Sequence, residues 1–152
     1  MKEKILFKET QRFNQWWLWV ILSVSLGVPV VFMSIDAVQS FEATKLIPII
    51  LFVALFLFIF VMRLDTRITE EKIAIHFYPF VKREFPWEHL KKAQVIDYGF
   101  IGGWGIRLWT DYGTAYNVRG SMGLHLKTTD KEYIIGTQKE KELRESIAHL
   151  LK

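Results

Sequence analysis

Three basic side chains and a tryptophan in the second half of the chain have the chemistry to recognise negative charge. They are Arg107, Trp109, Arg119 and Lys127. If the predicted strands that carry them pair in chain order, these side chains share one face of a sheet, because successive strand residues point to opposite sides. Near a bilayer surface, each such cation contributes about 1 kcal/mol of attraction to anionic headgroups. We treat the four as a candidate interaction patch, with an ordinary solvated sheet face as the alternative.

A glycine cluster could bind an anion through its backbone instead. Gly102, Gly103 and Gly105 flank Trp104, and consecutive backbone N–H groups in glycine-rich turns can form an anion-binding nest. The cluster lacks the Lys-Ser/Thr of a P-loop and does not lie between a strand and a helix. A bulge at the start of a strand, with close backbone approach under Trp104, is the simpler interpretation. Anion binding stays open.

The residue types used in catalysis are scattered along the chain. His76, His89, His125 and His149 show neither an i, i+4 pair nor an HExxH spacing. Ser121 lies in Gly-Ser-Met-Gly rather than in a Gly-x-Ser-x-Gly elbow. The lack of cysteine removes thiolate ligands, disulfides and a thiol nucleophile. The sequence therefore predicts a non-enzymatic protein with no catalytic residue, cofactor or metal site.

Two uncharged apolar runs precede these candidates, at residues 13–35 and 46–62. A bilayer core requires about 20 helical residues, with about 17 as the lower limit. We predict a transmembrane hairpin with spans at about residues 14–34 and 46–62, inside an N-terminal segment of residues 1–63. The first run is too long for a signal peptide and lacks an Ala-x-Ala-like cleavage site. Without ionisable groups at membrane depth, the hairpin is an anchor rather than a conduit.

The residues around the hairpin predict its orientation. Trp16, Trp17 and Trp19 follow Arg12 and are typical of a membrane-interface belt. Basic residues flank both outer ends, whereas residues 34–45 between the runs hold one cation. The positive-inside rule then places both termini in the cytoplasm. The net charge of +4 is mild and dispersed, so nucleic acid is not an expected partner.

Residues 64–152 carry the pattern of a small α+β domain. Apolar residues alternate with polar ones, as in Ile73, Ile75 and Phe77, and Gly/Pro turns separate about seven short strands. We expect an antiparallel meander or partly open barrel. A final amphipathic helix closes it, with a capping box at Thr137-x-x-Glu140. Its apolar stripe consists of Leu143, Ile147, Leu150 and Leu151.

This order of elements resembles a bacterial pleckstrin-homology-like (PH-like) domain preceded by two transmembrane helices. The resemblance is carried by residues 68–69, 72–73, 85–90, 102–107, 115–118 and 135–138. It implies a multi-pass protein of the bacterial inner (cytoplasmic) membrane with a cytoplasmic PH-like domain. The basic pattern of lipid-binding eukaryotic relatives is reduced to Lys82 and Arg83 in the first predicted hairpin.

Together these patterns predict a membrane-anchored docking module. The expected partner is another protein, a second copy of the chain or the anionic headgroups of the membrane surface. The alternative is an accessory or regulatory subunit of a membrane transporter or enzyme complex, with the hairpin as its interface. Ser23 and Gly27 would then provide a small-residue face for helix packing.

Overall fold

The computed structural model describes residues 4–39 and 46–151, which belong to two compact units. One unit is the helical segment of residues 13–62. The other combines the chain before residue 13 with the chain from residue 63 onwards. The sequence-based division at residue 63/64 assigned the first twelve residues to the hairpin segment. The structure instead joins them to the sheet-rich unit through strand pairing.

The helical unit contains one helix that is long and apolar enough to cross a membrane. It starts as α1 (Trp16–Leu22), passes through a π-helical segment (Ser23–Gly27) and continues as α2 (Val28–Gln39). Its apolar stretch from Trp16 to Ile35 is 20 residues long. The second helix, α3 (Leu46–Val61), is apolar throughout but only 16 residues long. The length of α3 therefore does not establish the predicted second span. Residues 40–45, between the two helices, lie outside the described residues.

The two apolar helices pack on each other through aromatic rings. The ring of Trp19 lies 4.9 Å from Phe56 and 6.2 Å from Phe60, and its indole N–H donates to the Phe13 carbonyl at 2.9 Å. Phe52 stands at van der Waals distance from the position of a Cβ on Gly27. α3 thus approaches the small-residue face at Gly27, whereas Ser23 is exposed, and neither α1 nor α3 has a buried residue.

The first sheet of the other unit has four antiparallel strands in the order β1-β2-β3-β4. The alternating pattern buries one face, including Leu64, Ile68, Ile73, Ile75 and Phe77. The opposite face is polar. The strands are β1 (Ile5–Arg12), β2 (Arg63–Thr69), β3 (Lys72–Tyr78) and β4 (Val81–Pro86).

Strand β1 was not predicted, because two of its buried residues are polar. Glu9 accepts a hydrogen bond from the Thr137 hydroxyl at 2.7 Å and another from the Gln138 backbone N–H at 2.9 Å. Gln11 donates to the Gly136 carbonyl at 2.7 Å. Partners more than 120 residues away in the chain therefore satisfy the polar groups that hide the strand pattern.

The second sheet has five strands in the order β5-β8-β9-β7-β6, with β7 and β9 parallel. The predicted meander of about seven strands is wrong: the described residues form nine strands in two sheets that do not close into a barrel. The strands of the second sheet do not pair in chain order, as a meander requires, because β9 lies between β7 and β8. The strands are β5 (Lys92–Asp97), β6 (Gly105–Thr110), β7 (Gly113–Asn117), β8 (Met122–Lys127) and β9 (Glu132–Gly136).

The two sheets contact each other through buried side chains. Phe85 of the first sheet lies 4.9 Å from the ring of Tyr133 in the second. The outer face of the five-stranded sheet carries a smaller apolar cluster, in which Tyr98 packs with Ala115 and Ile134. The Tyr98 ring passes so close to Gly123 that a Cβ at this position would collide with it.

The last helix, α4 (Glu140–Ile147), buries Leu143 and Ile147 and contacts β1. Its predicted apolar stripe is confirmed at these two positions. The predicted capping box is wrong, because the helix starts after Lys139 without a side-chain cap. The Thr137 hydroxyl instead donates to Glu9 and accepts from the Lys139 N–H at 3.1 Å.

Candidate functional site

The outer face of the four-stranded sheet concentrates positive charge. Strand alternation and cross-strand register bring outward-facing residues of all four strands into one array. His76 and two carboxylates, Asp65 and Glu84, belong to the same array. We call this surface the basic face and define it by its six cations: Lys8, Arg12, Arg63, Arg67, Lys72 and Lys82.

Two pairs of like charges stand directly opposite each other on the basic face. Lys8 pairs in register with Arg67, and Arg12 pairs with Arg63. Like charges opposite each other in an antiparallel pair destabilise a sheet. Folding alone does not favour this arrangement, whereas an anion seated between the two cations of a pair would relieve the repulsion.

The carboxylates of the array neutralise only part of it. Asp65 accepts from the Thr10 hydroxyl at 2.7 Å and from Arg63 Nε at 2.9 Å. Glu84 accepts from Lys72 Nζ at 3.0 Å. Within the described residues, the remaining four cations form no ion pair: Lys8, Arg12, Arg67 and Lys82. Their charge is therefore available to an external anion.

The basic face is concave and has aromatic character at one end. Its residues line an open depression of about 590 Å³. Tyr78 follows at the end of β3, opposite Arg63, whose guanidinium lies 5.4 Å from the ring centroid. Arginine offers a planar fork of N–H donors that matches the oxygens of phosphate and carboxylate groups. The surface can therefore bind anionic oxygens.

The predicted interaction patch is divided by the observed strand order. Arg107 and Lys127 point to the same side of the five-stranded sheet, but β7 and β9 lie between them. Arg119 follows the end of β7 in an exposed turn. Trp109 and Lys127 line one groove, to which neither Arg107 nor Arg119 contributes. The structure thus brings together only two of the four predicted residues.

The side chain of Arg107 approaches the backbone of the glycine cluster closely. Gly102, Gly103 and Gly105 all have positive φ, a conformation that costs glycine little. The Arg107 guanidinium occupies the space that a Cβ on Gly103 would need. The Arg107 side chain therefore packs closely on this backbone.

In the five-stranded sheet, the buried His125 belongs to a hydrogen-bonded triplet with Glu132 and Lys127. His125 Nε2 lies 2.8 Å from Glu132, which also accepts from Lys127 at 2.6 Å. Hydrogen bonds from Lys127 and then His125 lower the pKa of Glu132 below its ordinary value. His76 instead belongs to the basic face. Within residues 4–39 and 46–151, no group of three or more His, Cys, Asp or Glu side chains is arranged to hold a metal ion.

Sequence reasoning missed the basic face because four of its six cations were assigned to the membrane flanks. Lys8, Arg12, Arg63 and Arg67 were read as orientation signals around the hairpin. Their spacing carries the missed signal: Lys8, Thr10 and Arg12 alternate along the chain with period two, as strand residues on one face do.

Comparisons of this chain with protein-family models, with curated proteins and with solved structures find no match. The PH-like resemblance and the functions it implies accordingly stay predictions.

Proposed function

We propose that this protein is a non-catalytic, membrane-anchored module that docks through its basic face onto the anionic headgroup surface. The observation that carries the proposal is the presence of two like-charged cross-strand pairs, Lys8 with Arg67 and Arg12 with Arg63. Phosphate groups are the anions that a membrane supplies at high density. Two neighbouring headgroups could each occupy one cation pair.

Two residues of the basic face lie close in sequence to the apolar helices, which supports a position of this face near the membrane. Arg12 precedes the start of α1 by four residues, and Arg63 follows the end of α3 by two. Juxtamembrane cations contribute about 1 kcal/mol each near an anionic surface. The four cations without an ion pair would thus provide roughly 4 kcal/mol. Because a tether raises the effective concentration of the surface, this modest energy is sufficient for docking.

We infer that α3 forms the second membrane span. Arg12 and Arg63 are paired in the sheet, so the chain leaves and re-enters the same end of one unit. A single crossing by residues 16–35 would leave these two positions on opposite sides of the bilayer. A second crossing restores them to one side, and α3 supplies an uncharged helix for it. Slight local thinning of the bilayer accommodates its short length.

Cysteine labelling tests this topology, because the chain contains no native cysteine. A cysteine at Ser40, which lies outside the described residues, should react with an impermeant maleimide in whole bacterial cells. A cysteine at the exposed Thr129 should react only after the cells are opened. Labelling of both positions, or of Thr129 alone, in whole cells would contradict a hairpin with a cytoplasmic domain.

Lysine footprinting tests the docking itself on the full chain in nanodiscs. We expect acetylation of the exposed Lys8 and Lys82 to slow several-fold when phosphatidylglycerol is added to phosphatidylcholine. Higher salt should reverse this protection, because it shortens the Debye length to about 3 Å at 1 M. The exposed Lys141 of α4 is the internal control.

Matched variants separate the basic face from general charge effects. Arg67→Gln should weaken the protection of Lys8, whereas Arg107→Gln on the other sheet should leave it unchanged. Equal acetylation rates in neutral and anionic nanodiscs would refute headgroup docking. Loss of protection in both variants would assign the effect to net charge alone.

The alternative of an accessory subunit has less specific support. It relies on a small-residue face at Ser23 and Gly27, where the ring of Phe52 lies near Gly27 while Ser23 stays exposed. The PH-like assignment itself is supported by a four-stranded antiparallel sheet, a second sheet and a terminal helix in that order. The parallel β7–β9 pair is a departure from the expected meander.

A further inference from the structure

A bulge near the end of β6 exposes apolar side chains. Arg107 pairs with Ala115, but Thr110 pairs with Gly113, so β6 has one extra residue in this interval. A bulge of this kind re-aims the side chains at the affected positions. Leu108 and Trp109 consequently stand exposed on a strand at the sheet edge.

Trp109 combines unusual exposure with an unusual backbone. Its side chain is 93% exposed, and it is the one non-glycine residue with positive φ, at 58°, in the part of the chain that the structure describes. Bulky residues rarely adopt this conformation. Strained positions of this type concentrate at binding sites, where the strain presents a side chain to a ligand.

The bulge forms one wall of a groove near the end of β6. We call it the end groove and define it by Arg83, Leu108, Trp109, Thr114, Lys127 and Lys131. Its volume is about 650 Å³, and it is open along its length. Small-molecule pockets are typically more enclosed and mostly apolar. An open groove with mixed lining is better suited to a peptide segment.

The charges that line the end groove indicate which kind of peptide segment it suits. Lys127 is neutralised by Glu132 at 2.6 Å. Arg83 stacks on the Tyr133 ring, with its guanidinium carbon 5.7 Å from the ring centroid, and also hydrogen-bonds the Tyr116 hydroxyl. Neither Arg83 nor Lys131 forms an ion pair with any described residue. Besides Glu132, the acidic residue Asp130 lines the end groove. Lys131 and Arg83, which contacts two uncharged tyrosines, thus lack a counterion among the described residues and stand beside an exposed leucine and tryptophan.

We propose that the end groove binds a short acidic segment of a partner protein. An apolar side chain of the segment packs on Leu108 and Trp109, and its carboxylates face Arg83 and Lys131. Tryptophan and arginine are the residues most enriched among interface positions that dominate binding. This site lies on a different set of residues from the basic face and is independent of headgroup docking.

Peptide binding to the full chain in neutral detergent tests this assignment. The probe is a fluorescein-labelled hexapeptide with two central leucines flanked by glutamates. Its matched control carries lysines in place of the glutamates. We expect saturable anisotropy for the acidic peptide and binding at least about tenfold weaker for the basic one, a difference of about 1.4 kcal/mol. Equal binding of both peptides, or binding of neither, would overturn the proposal.

Substitutions then locate the site. Trp109→Gly should weaken binding of the acidic peptide about tenfold or more without lowering the melting temperature, because glycine accepts positive φ freely. Arg83→Gln should weaken it as well. Phe100→Ala is the matched control, since this aromatic ring is 86% exposed but lies outside the end groove. Unchanged affinity in Trp109→Gly, or an equal loss in Phe100→Ala, would exclude the end groove as the site.

Discussion

At the scale of single residues, one buried carboxylate joins the two ends of the sheet-rich unit. Glu9 is only 5% exposed and accepts two hydrogen bonds from the segment that leads into α4. Hydrogen bonds to charged groups contribute about 1.5–3 kcal/mol each, and a buried charge without them is strongly unfavourable. Glu9 therefore holds β1 in place where an apolar side chain would ordinarily do so.

Glu9→Gln should lower the free energy of unfolding by about 1.5–3 kcal/mol, because the charge-assisted bonds to Thr137 and Gln138 are weakened. Denaturant unfolding of the full chain in detergent measures the loss. Thr137→Ala added to this variant should cost less than it does in the wild type, since the two side chains share one interaction.

Glu70→Gln is the matched control for that measurement. Its ion pair with Lys4, at 3.2 Å, is exposed and should contribute about 0–1 kcal/mol. A loss in Glu70→Gln equal to that in Glu9→Gln would mean that the Glu9 network has no special role in stability.

The Glu132 triplet predicts a contribution to stability that depends on pH. Hydrogen bonds from Lys127 and His125 lower the pKa of Glu132 in the folded state below its ordinary 4.5. A lowered carboxyl pKa stabilises the fold above the unfolded-state pKa, and this stabilisation disappears as the pH falls through the folded-state value. The difference in unfolding free energy between wild type and Glu132→Gln should therefore shrink as the pH falls below about 4.5. A difference that grows in acid would contradict this assignment.

At the scale of strands, the like-charged pairs of the basic face predict that removal of one cation stabilises the fold. Arg67→Gln removes the repulsion between Lys8 and Arg67 and should raise the free energy of unfolding by about 0.2–1 kcal/mol. Arg144→Gln, which breaks an exposed i, i+4 pair with Glu140, should lower it slightly instead. Thermal unfolding at low salt measures both. A destabilised Arg67→Gln variant would show that Arg67 has a stabilising partner and would weaken the case for a functional face.

Strands with an apolar alternation could be predicted, whereas their order could not. Ile73, Ile75 and Phe77 predicted β3, and Leu143 with Ile147 predicted the buried side of α4. Local periodicity is sufficient for such elements because each side chain reports its own burial. The insertion of β9 between β7 and β8 depends instead on pairing over long sequence separations, which no local pattern records.

The candidate site was hidden for the same physical reason. Its first strand buries Glu9 and Gln11, whose polarity hides the alternation, and their partners lie near residue 137. The predicted patch of Arg107, Trp109, Arg119 and Lys127 assumed that neighbouring strands in the chain are neighbours in the sheet. Trp109, near the end of β6, and Lys127, at the end of β8, nevertheless both line the end groove.

At the scale of the whole molecule, the register of β1 predicts how the sheet-rich unit can be isolated. Residues 64–152 alone lack β1 and should not unfold cooperatively, because β2 loses its neighbour and Thr137 loses Glu9. Residues 4–12 joined to residues 63–152 by Asn-Gly should fold, since Arg12 and Arg63 are directly paired and this turn suits a two-residue hairpin. Circular dichroism during heating compares the two. Equally cooperative unfolding of both would show that β1 is dispensable.

If the proposed membrane hairpin forms, the pairing of Arg12 with Arg63 couples its insertion to the stability of the domain. For the sheet, residues 13–62 are a loop of 50 residues that must bring its ends together. Closing a flexible loop of this length costs roughly 3 kcal/mol or more in chain entropy. An inserted helical hairpin fixes its own ends side by side and removes most of that penalty. Under that proposal, a chain whose hairpin fails to insert should carry a destabilised domain, whose larger unfolded fraction exposes it to proteolysis.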